Sequence, residues 1–247
     1  MRRNFMLPSI ALAIAVASGA FSWHAKGQSA RAPTTVSAGG IHLSMPAVVG
    51  FRVPDSDERQ VMNIVRTGVP PHHRLLAMFL SDDDLKRFAA GDLPRLDQYY
   101  VAQIPKRAEA MSLTISDFQS VRRSIKDDHS MAMRAHSVSQ REFVSSLERG
   151  GKGLINAVDL LRAAEPLALG IFEDYQHAVG VNYLTRERPD ESIATKGRTL
   201  LTTSVATVLR SRLVFLDGAC ATRTADDIVR CRHQMKDWVE LLHAANP

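Results

Sequence analysis

From Leu200 to Leu209 the chain reads Leu-Leu-Thr-Thr-Ser-Val-Ala-Thr-Val-Leu, and alternation places Leu201, Thr203, Val205, Thr207 and Leu209 on one face of a strand. Arg210-Ser211 is a polar step before a second apolar run, Arg212-Leu213-Val214-Phe215-Leu216, so the pair predicts a β-hairpin. A two-stranded hairpin is not stable alone in water and needs a third strand or a helix on its apolar face. Ala225 to Ala245 supply the helix. Thr224 and Asp227 form a capping box, and Ile228, Cys231, Met235, Trp238 and Leu242, with Val239 and Leu241 beside them, recur at helical spacing.

Upstream, Ile41-His42-Leu43-Ser44 and Val48 to Val53 predict two short strands, stopped by Pro46 and Pro54. Pro54 to Gly68 reads as a helix with acidic residues in its first turn, His73 to Leu80 as a strand, and Asp82 to Ala90 as a helix capped by Ser81. Tyr99 to Ile104 is a further strand, ended by Pro105. Ser116 is the expected cap of a long central helical segment reaching about Arg149. Its stripe of Phe118, Val121, Ile125, Ala132, Phe143 and Leu147 carries His129, His136 and Gln140 in the middle. With so polar a centre, the helix either projects beyond the sheet there or breaks near Ser137 to Ser139. Gly150-Gly151-Lys152-Gly153 ends it as a loop, since its spacing fits neither a phosphate loop nor a dinucleotide fingerprint. Leu167 to Phe172 and Gln176 to Leu184 predict another hairpin, turning at Glu173-Asp174. Hairpins with helices between and after them indicate an α+β fold, an antiparallel sheet covered by helices that include the long central one and the C-terminal one. Residues 41–247 are expected to form this single domain.

Composition changes the picture mainly at the N-terminus. Met1-Arg2-Arg3-Asn4 is a positive segment, Phe5 to Val16 is largely apolar, and Ser18-Gly19-Ala20 are small, which together read as a signal peptide over residues 1–20, cleaved after Ala20. Pro8, Ser9 and Ser18 leave the apolar run short of the roughly 20 residues that a membrane span needs. Arg2-Arg3-Asn4-Phe5-Met6 resembles a twin-arginine signal but lacks its flanking polar residue and lysine, so the general secretory route is expected. Residues 21–40, rich in Gly, Ser, Ala, Pro and Thr, read as a flexible tether. The mature protein is expected to be periplasmic or secreted. The formal charge of +5, which loses two units with Arg2 and Arg3 of the expected signal peptide, is mildly basic and permits peripheral association with an anionic membrane, but no Lys/Arg block interleaved with aromatics points to nucleic acid.

Three phrases carry a resemblance: Pro46-Ala47-Val48-Val49-Gly50-Phe51; Arg74-Leu75-Leu76-Ala77-Met78-Phe79 before an acidic helix start; and Tyr99-Tyr100-Val101-Ala102-Gln103-Ile104-Pro105. With Ser204 to Trp238, they resemble a group of uncharacterised exported proteobacterial proteins to which no activity is assigned. More distantly, a sheet followed by a Trp-bearing terminal helix is similar to PsbP-type domains, which implies an accessory role on a membrane complex.

Candidate chemistry is sparse. His129, Met131, Met133 and His136 combine imidazole and thioether in one helical segment, the donor set that suits Cu(I). The same residues also serve as helix-packing positions. His72-His73 read as surface residues, since neighbours on a strand point apart. Asp82, Asp83 and Asp84 read as first-turn carboxylates rather than a cation site, and Glu173, Asp174 and Asp217 as solvated turn residues. No nucleophile elbow or zinc-protease helix occurs. Cys220 and Cys231, the only two cysteines, are expected to pair in an oxidising compartment, joining the last strand to the terminal helix. These features favour an exported envelope protein that binds or supports a protein or other envelope partner without a cofactor. The alternatives are an enzyme, such as a hydrolase, with dispersed site residues, and a copper-binding periplasmic protein.

Overall fold

The computed structural model describes residues 32–55, 58, 62, 69–90, 96–135, 166–186 and 198–247. All of these fall in the unit Ala32–Pro247. The expected signal peptide, most of the predicted helix from Pro54 to Gly68, and the central helical segment beyond Ala135 lie outside the described residues.

Nine strands are described: β1 (Thr34–Ala38), β2 (Ile41–Met45), β3 (Phe51–Arg52), β4 (His73–Ser81), β5 (Gln98–Pro105), β6 (Leu167–Tyr175), β7 (Ala178–Arg186), β8 (Thr199–Leu209) and β9 (Arg212–Thr222). The described helices are α1 (Asp82–Ala89), α2 (Ile115–Ala135) and α3 (Ala225–Ala245). Strands β3-β4-β5-β9-β8-β7-β6 form one sheet in that order, every described pair antiparallel, and β1-β2 form a separate hairpin. The structure is therefore α+β with helices on an antiparallel sheet, as the hydrophobic pattern indicates.

The β8–β9 hairpin is the centre of the sheet. Arg210 and Ser211 both take positive φ, 46° and 64°, the conformation whose twist matches a two-residue hairpin loop. Its two faces are covered by different helices. Val205, Leu209, Val214 and Leu216, with Phe79 and Tyr100, pack against Met235, Trp238, Val239 and Leu242 of α3. Ala206, Val208, Leu213 and Val179 pack on the other face against Phe118 of α2. Side chains buried to this degree contribute roughly 1.5–3 kcal/mol each.

Helix α3 starts as its sequence requires. Thr224 Oγ1 accepts from Asp227 N, and the Asp227 carboxylate accepts from Thr224 N at 3.0 Å. Leu241, expected beside the stripe, is exposed. At the far end, Asn246 accepts from Ser44 N (2.8 Å) and donates to Ser44 O (2.7 Å), bridging the helix terminus to β2. Cys220 and Cys231 form a disulfide with Cα atoms 6.3 Å apart, well inside the range a disulfide can span.

Several boundaries differ from the sequence reading. The tether does not extend to residue 40: Thr34–Ala38 is a strand paired residue for residue with β2, and Ala38 is fully buried. Its Thr-Thr-Val core is β-prone, and the Arg212 guanidinium holds the turn by donating to the carbonyls of Ala38 and Gly39. Gly39 has φ +55°, and a Cβ there would lie 2.0 Å from the Glu109 carbonyl oxygen. The predicted strand Val48–Val53 shrinks to Phe51–Arg52, because Phe51 N donates to Val48 O at 3.0 Å and closes a turn instead. The cap of α2 is Thr114, not Ser116. Thr114 Oγ1 accepts from Asp117 N at 3.1 Å, and Asp117 accepts in return from Thr114 N at 2.8 Å. β6 continues through Glu173-Asp174 to Tyr175, and the chain reverses at Gln176-His177. Irregular register between Ala168 and Gly170 and again between Ile171 and Glu173 lets Glu173 turn inward and become buried.

Candidate functional site

On the sheet face opposite α3, two apolar clusters leave a polar stripe between them. One cluster is Met78, Leu80 and Val101 under Leu85 of α1, and the other is the set under Phe118 of α2. Between them, alternation on β9 brings Asp217 to the same face as Leu213 and Phe215. Register then sets Asp217 beside Val101 of β5 and Ser204 of β8. One rung on, Tyr99, Ala219, Thr202 and Tyr183 lie side by side on β5, β9, β8 and β7. His73, Tyr99, Tyr183, Thr202, Ser204, Phe215 and Asp217 are all half-buried, whereas α3 and β2 cover the opposite face closely.

Four of these side chains and Gln103 form a connected array. Ser204 Oγ donates to Asp217 Oδ1 at 2.6 Å, and Gln103 Nε2 donates to Asp217 Oδ2. That orientation turns Gln103 Oε1 towards His73 Nδ1, 3.0 Å away, so His73 donates Nδ1–H and its Nε2 carries the lone pair when the ring is neutral. The His73 ring stacks on Phe215 with centroids 5.4 Å apart and planes 18° apart. Burial raises the Asp217 pKa above the ordinary carboxylate range, against the hydrogen bonds from Ser204 and Gln103 and the charge of His73.

The connectivity decides what the array can do. Ser204 gives its proton to a carboxylate whose other oxygen is already held by Gln103, and both Asp217 and Gln103 stand between Ser204 and the imidazole. This is not a serine activated by a histidine base. It is a connected set of hydrogen-bonding groups, flanked by aromatic rings, and His73, Ser204 and Asp217 within it are half-buried.

Of the residues singled out for copper, the structure describes the side chain of His129 alone. It is buried on α2, with its ring 5.7 Å from that of Tyr183 and its Nδ1 3.5 Å from the Tyr183 hydroxyl. Met131 and Met133 lie in α2 with side chains outside the described set, and His136 lies outside the described residues. The three aspartates at the start of α1 are engaged locally: Asp82 with Arg52, Asp83 with Lys86, and Asp84 with Ser81 and Arg87. Asp174 is a strand residue paired with Arg122 and Lys126, and Arg122 first and then Lys126 hold its pKa below the usual range. Asp217 is not a turn residue either, since β9 runs six residues past the expected end at Leu216, to Thr222. His72 precedes β4 in a turn, so its ring does not diverge from that of His73 but meets it edge-on at 4.5 Å.

No protein-family model matches this chain, and no curated protein matches it. The structure is similar to the crystal structure of the Ran-binding protein Mog1p of Saccharomyces cerevisiae, at 11% identity over 86% of this chain and 93% of that one. The TM-score is 0.36, too low to carry an argument about fold or function.

Proposed function

We propose that this chain is an exported protein of the cell envelope, periplasmic or secreted, that holds a protein partner on the polar and aromatic stripe between α1 and α2 and works without a cofactor. The observation that carries the reading is that Tyr99, Tyr183 and Phe215 are only half-buried around hydrogen-bonding groups that are already paired with one another. Aromatic side chains beside preorganised polar groups are the composition that protein interfaces favour. The Cys220–Cys231 disulfide and the signal-like first twenty residues support export. A photo-crosslinking residue in place of Thr202, compared with one in place of the exposed Val229 on α3, tests the reading in intact cells. A protein adduct specific to position 202 is expected; equal adducts from both positions, or none from 202, would refute it.

The raised pKa of Asp217 favours a second reading, an enzyme with dispersed site residues, because perturbed buried acids gather at catalytic sites. Asp217→Asn separates the two. It would abolish turnover if Asp217 carries a proton in catalysis, and would leave partner capture within a few-fold of wild type if the array only positions groups.

A further inference from the structure

The β6–β7 turn, Gln176-His177, is fastened from both faces of the sheet by different chemistry. On the α2 side, Gln119 Nε2 donates to the Gln176 carbonyl at 3.0 Å, and Arg122 and Lys126 grip Asp174. On the α3 side, the His243 ring lies 4.0 Å from the His177 ring. Thr207 joins the two residues. Its hydroxyl donates to the His177 carbonyl at 2.9 Å, so at 2.8 Å from His243 Nε2 it accepts, and His243 carries its proton on Nε2. This contact ties the last turn of α3 to the hairpin, close to the Asn246 bridge that holds β2.

We propose that the His177–His243 contact is an acid-sensitive latch, closed while the His243 imidazole is neutral and opened in acidic solution, when charging His243 releases the β6–β7 turn from the end of α3. Two imidazolium rings at 4.0 Å repel at a site only partly open to water. The charged groups on the same side of the turn are of both signs. On α3, Lys236 lies 5.8 Å over the Tyr175 ring, and Tyr175 itself stacks on His177. The nearby carboxylates are Glu173 on β6, which faces Lys236, and Glu240 on α3, which is exposed to solvent. Burial first, and the neighbouring His177 second, push the His243 pKa down to about 4 from its ordinary 6.5. The neutral form is therefore the folded form, and the contact weakens as pH falls from 6.5 towards 4. The Asp174 clasp on the other face has the opposite design. Its carboxyl is held below the usual range, so it stays ionised after the histidine latch has opened. The hairpin tip would then be released on the α3 side only.

Hydrogen exchange of the full mature chain at about pH 7.5 and about pH 4.5, corrected for intrinsic rates, tests this. In the wild type, exchange within 175–180 and 243–246 should rise about tenfold at the lower pH while the β9 amides stay protected. His243→Gln retains a donor for Thr207 but cannot charge in this range, and should remove the response. His177→Gln, on the turn, gives a second variant if the first folds poorly. Unchanged exchange in the wild type, or the same pH response in both variants, would overturn the latch, as would equal loss of protection in β9, which would mean global unfolding.

Discussion

Trp238 is the side chain on which the α3 face of the sheet depends most, and replacing it with Ala should be among the most damaging single changes in the chain. Its side chain is fully buried, its ring meets Phe79 edge-on at 5.6 Å and Tyr100 at 5.4 Å, and Nε1 donates to the Pro46 carbonyl at 2.9 Å. Removing a buried indole costs about 3–5 kcal/mol through lost transfer energy and the cavity left behind. Loss of its N–H leaves the Pro46 carbonyl without that donor, at roughly 1 kcal/mol more where water does not replace it. At about 2–4 °C per kcal/mol for a domain of this size, the midpoint of thermal unfolding should fall by roughly 6–24 °C. Trp238→Phe keeps a ring but not the hydrogen bond, and should lose less than half as much. Urea unfolding followed by circular dichroism measures both variants. A loss below about 1 kcal/mol in Trp238→Ala would show that the indole is not an anchor of the α3 face.

Four further outcomes follow from the same geometry. Replacing Cys220 and Cys231 together by Ser should destabilise the protein by about 3 kcal/mol, the loop-closure value for about a dozen residues, and reductant should produce a similar fall in the wild type. Gly39→Ala should cost at least about 1–3 kcal/mol in urea unfolding, since its φ is +55° and the new methyl would meet the Glu109 carbonyl. The neutral His243 contributes stability that is complete above pH 6.5 and is lost as pH falls towards 4, about 1–2 kcal/mol after allowing for its partial exposure, and His243→Gln should flatten that part of the stability–pH curve. Copper loading of the wild type should leave no more metal than loading of a His129→Ala/Met133→Ala variant; clear stoichiometric copper in the wild type alone would favour a metal-binding role.

The elements legible in the sequence were those in which local pattern and tertiary packing agree. Thr224-x-x-Asp227 and the stripe from Ile228 to Leu242 define α3, and the alternation from Leu201 to Leu209 defines the buried face of β8. Those that were not legible involve a competing signal. Glu173-Asp174 reads as a turn because two carboxylates are unexpected in an edge strand, yet irregular register on β6 buries one and offers the other to Arg122 and Lys126. Thr34 to Ala38 reads as tether because it lies among glycine, serine and proline, and only pairing with β2 and the grip of Arg212 make it a strand. The polar array was hidden for a related reason. Asp217 follows an apolar run and reads as a turn residue, whereas continued alternation would have set it on the face of Leu213 and Phe215, and Gln103 reads only as one polar position within the strand Tyr99 to Ile104. Their meeting with His73 and Ser204 comes from strand order across four strands, which no local spacing records.

The most direct test of the central proposal is co-purification from envelope fractions with three forms of the chain: wild type, Thr202→Arg on the stripe, and Val229→Arg on the outer side of α3. One defined envelope partner is expected, retained by the wild type and by Val229→Arg and lost with Thr202→Arg, with all three forms equally folded by circular dichroism. Retention of the same partner by Thr202→Arg, or its loss with Val229→Arg alone, would contradict the proposal.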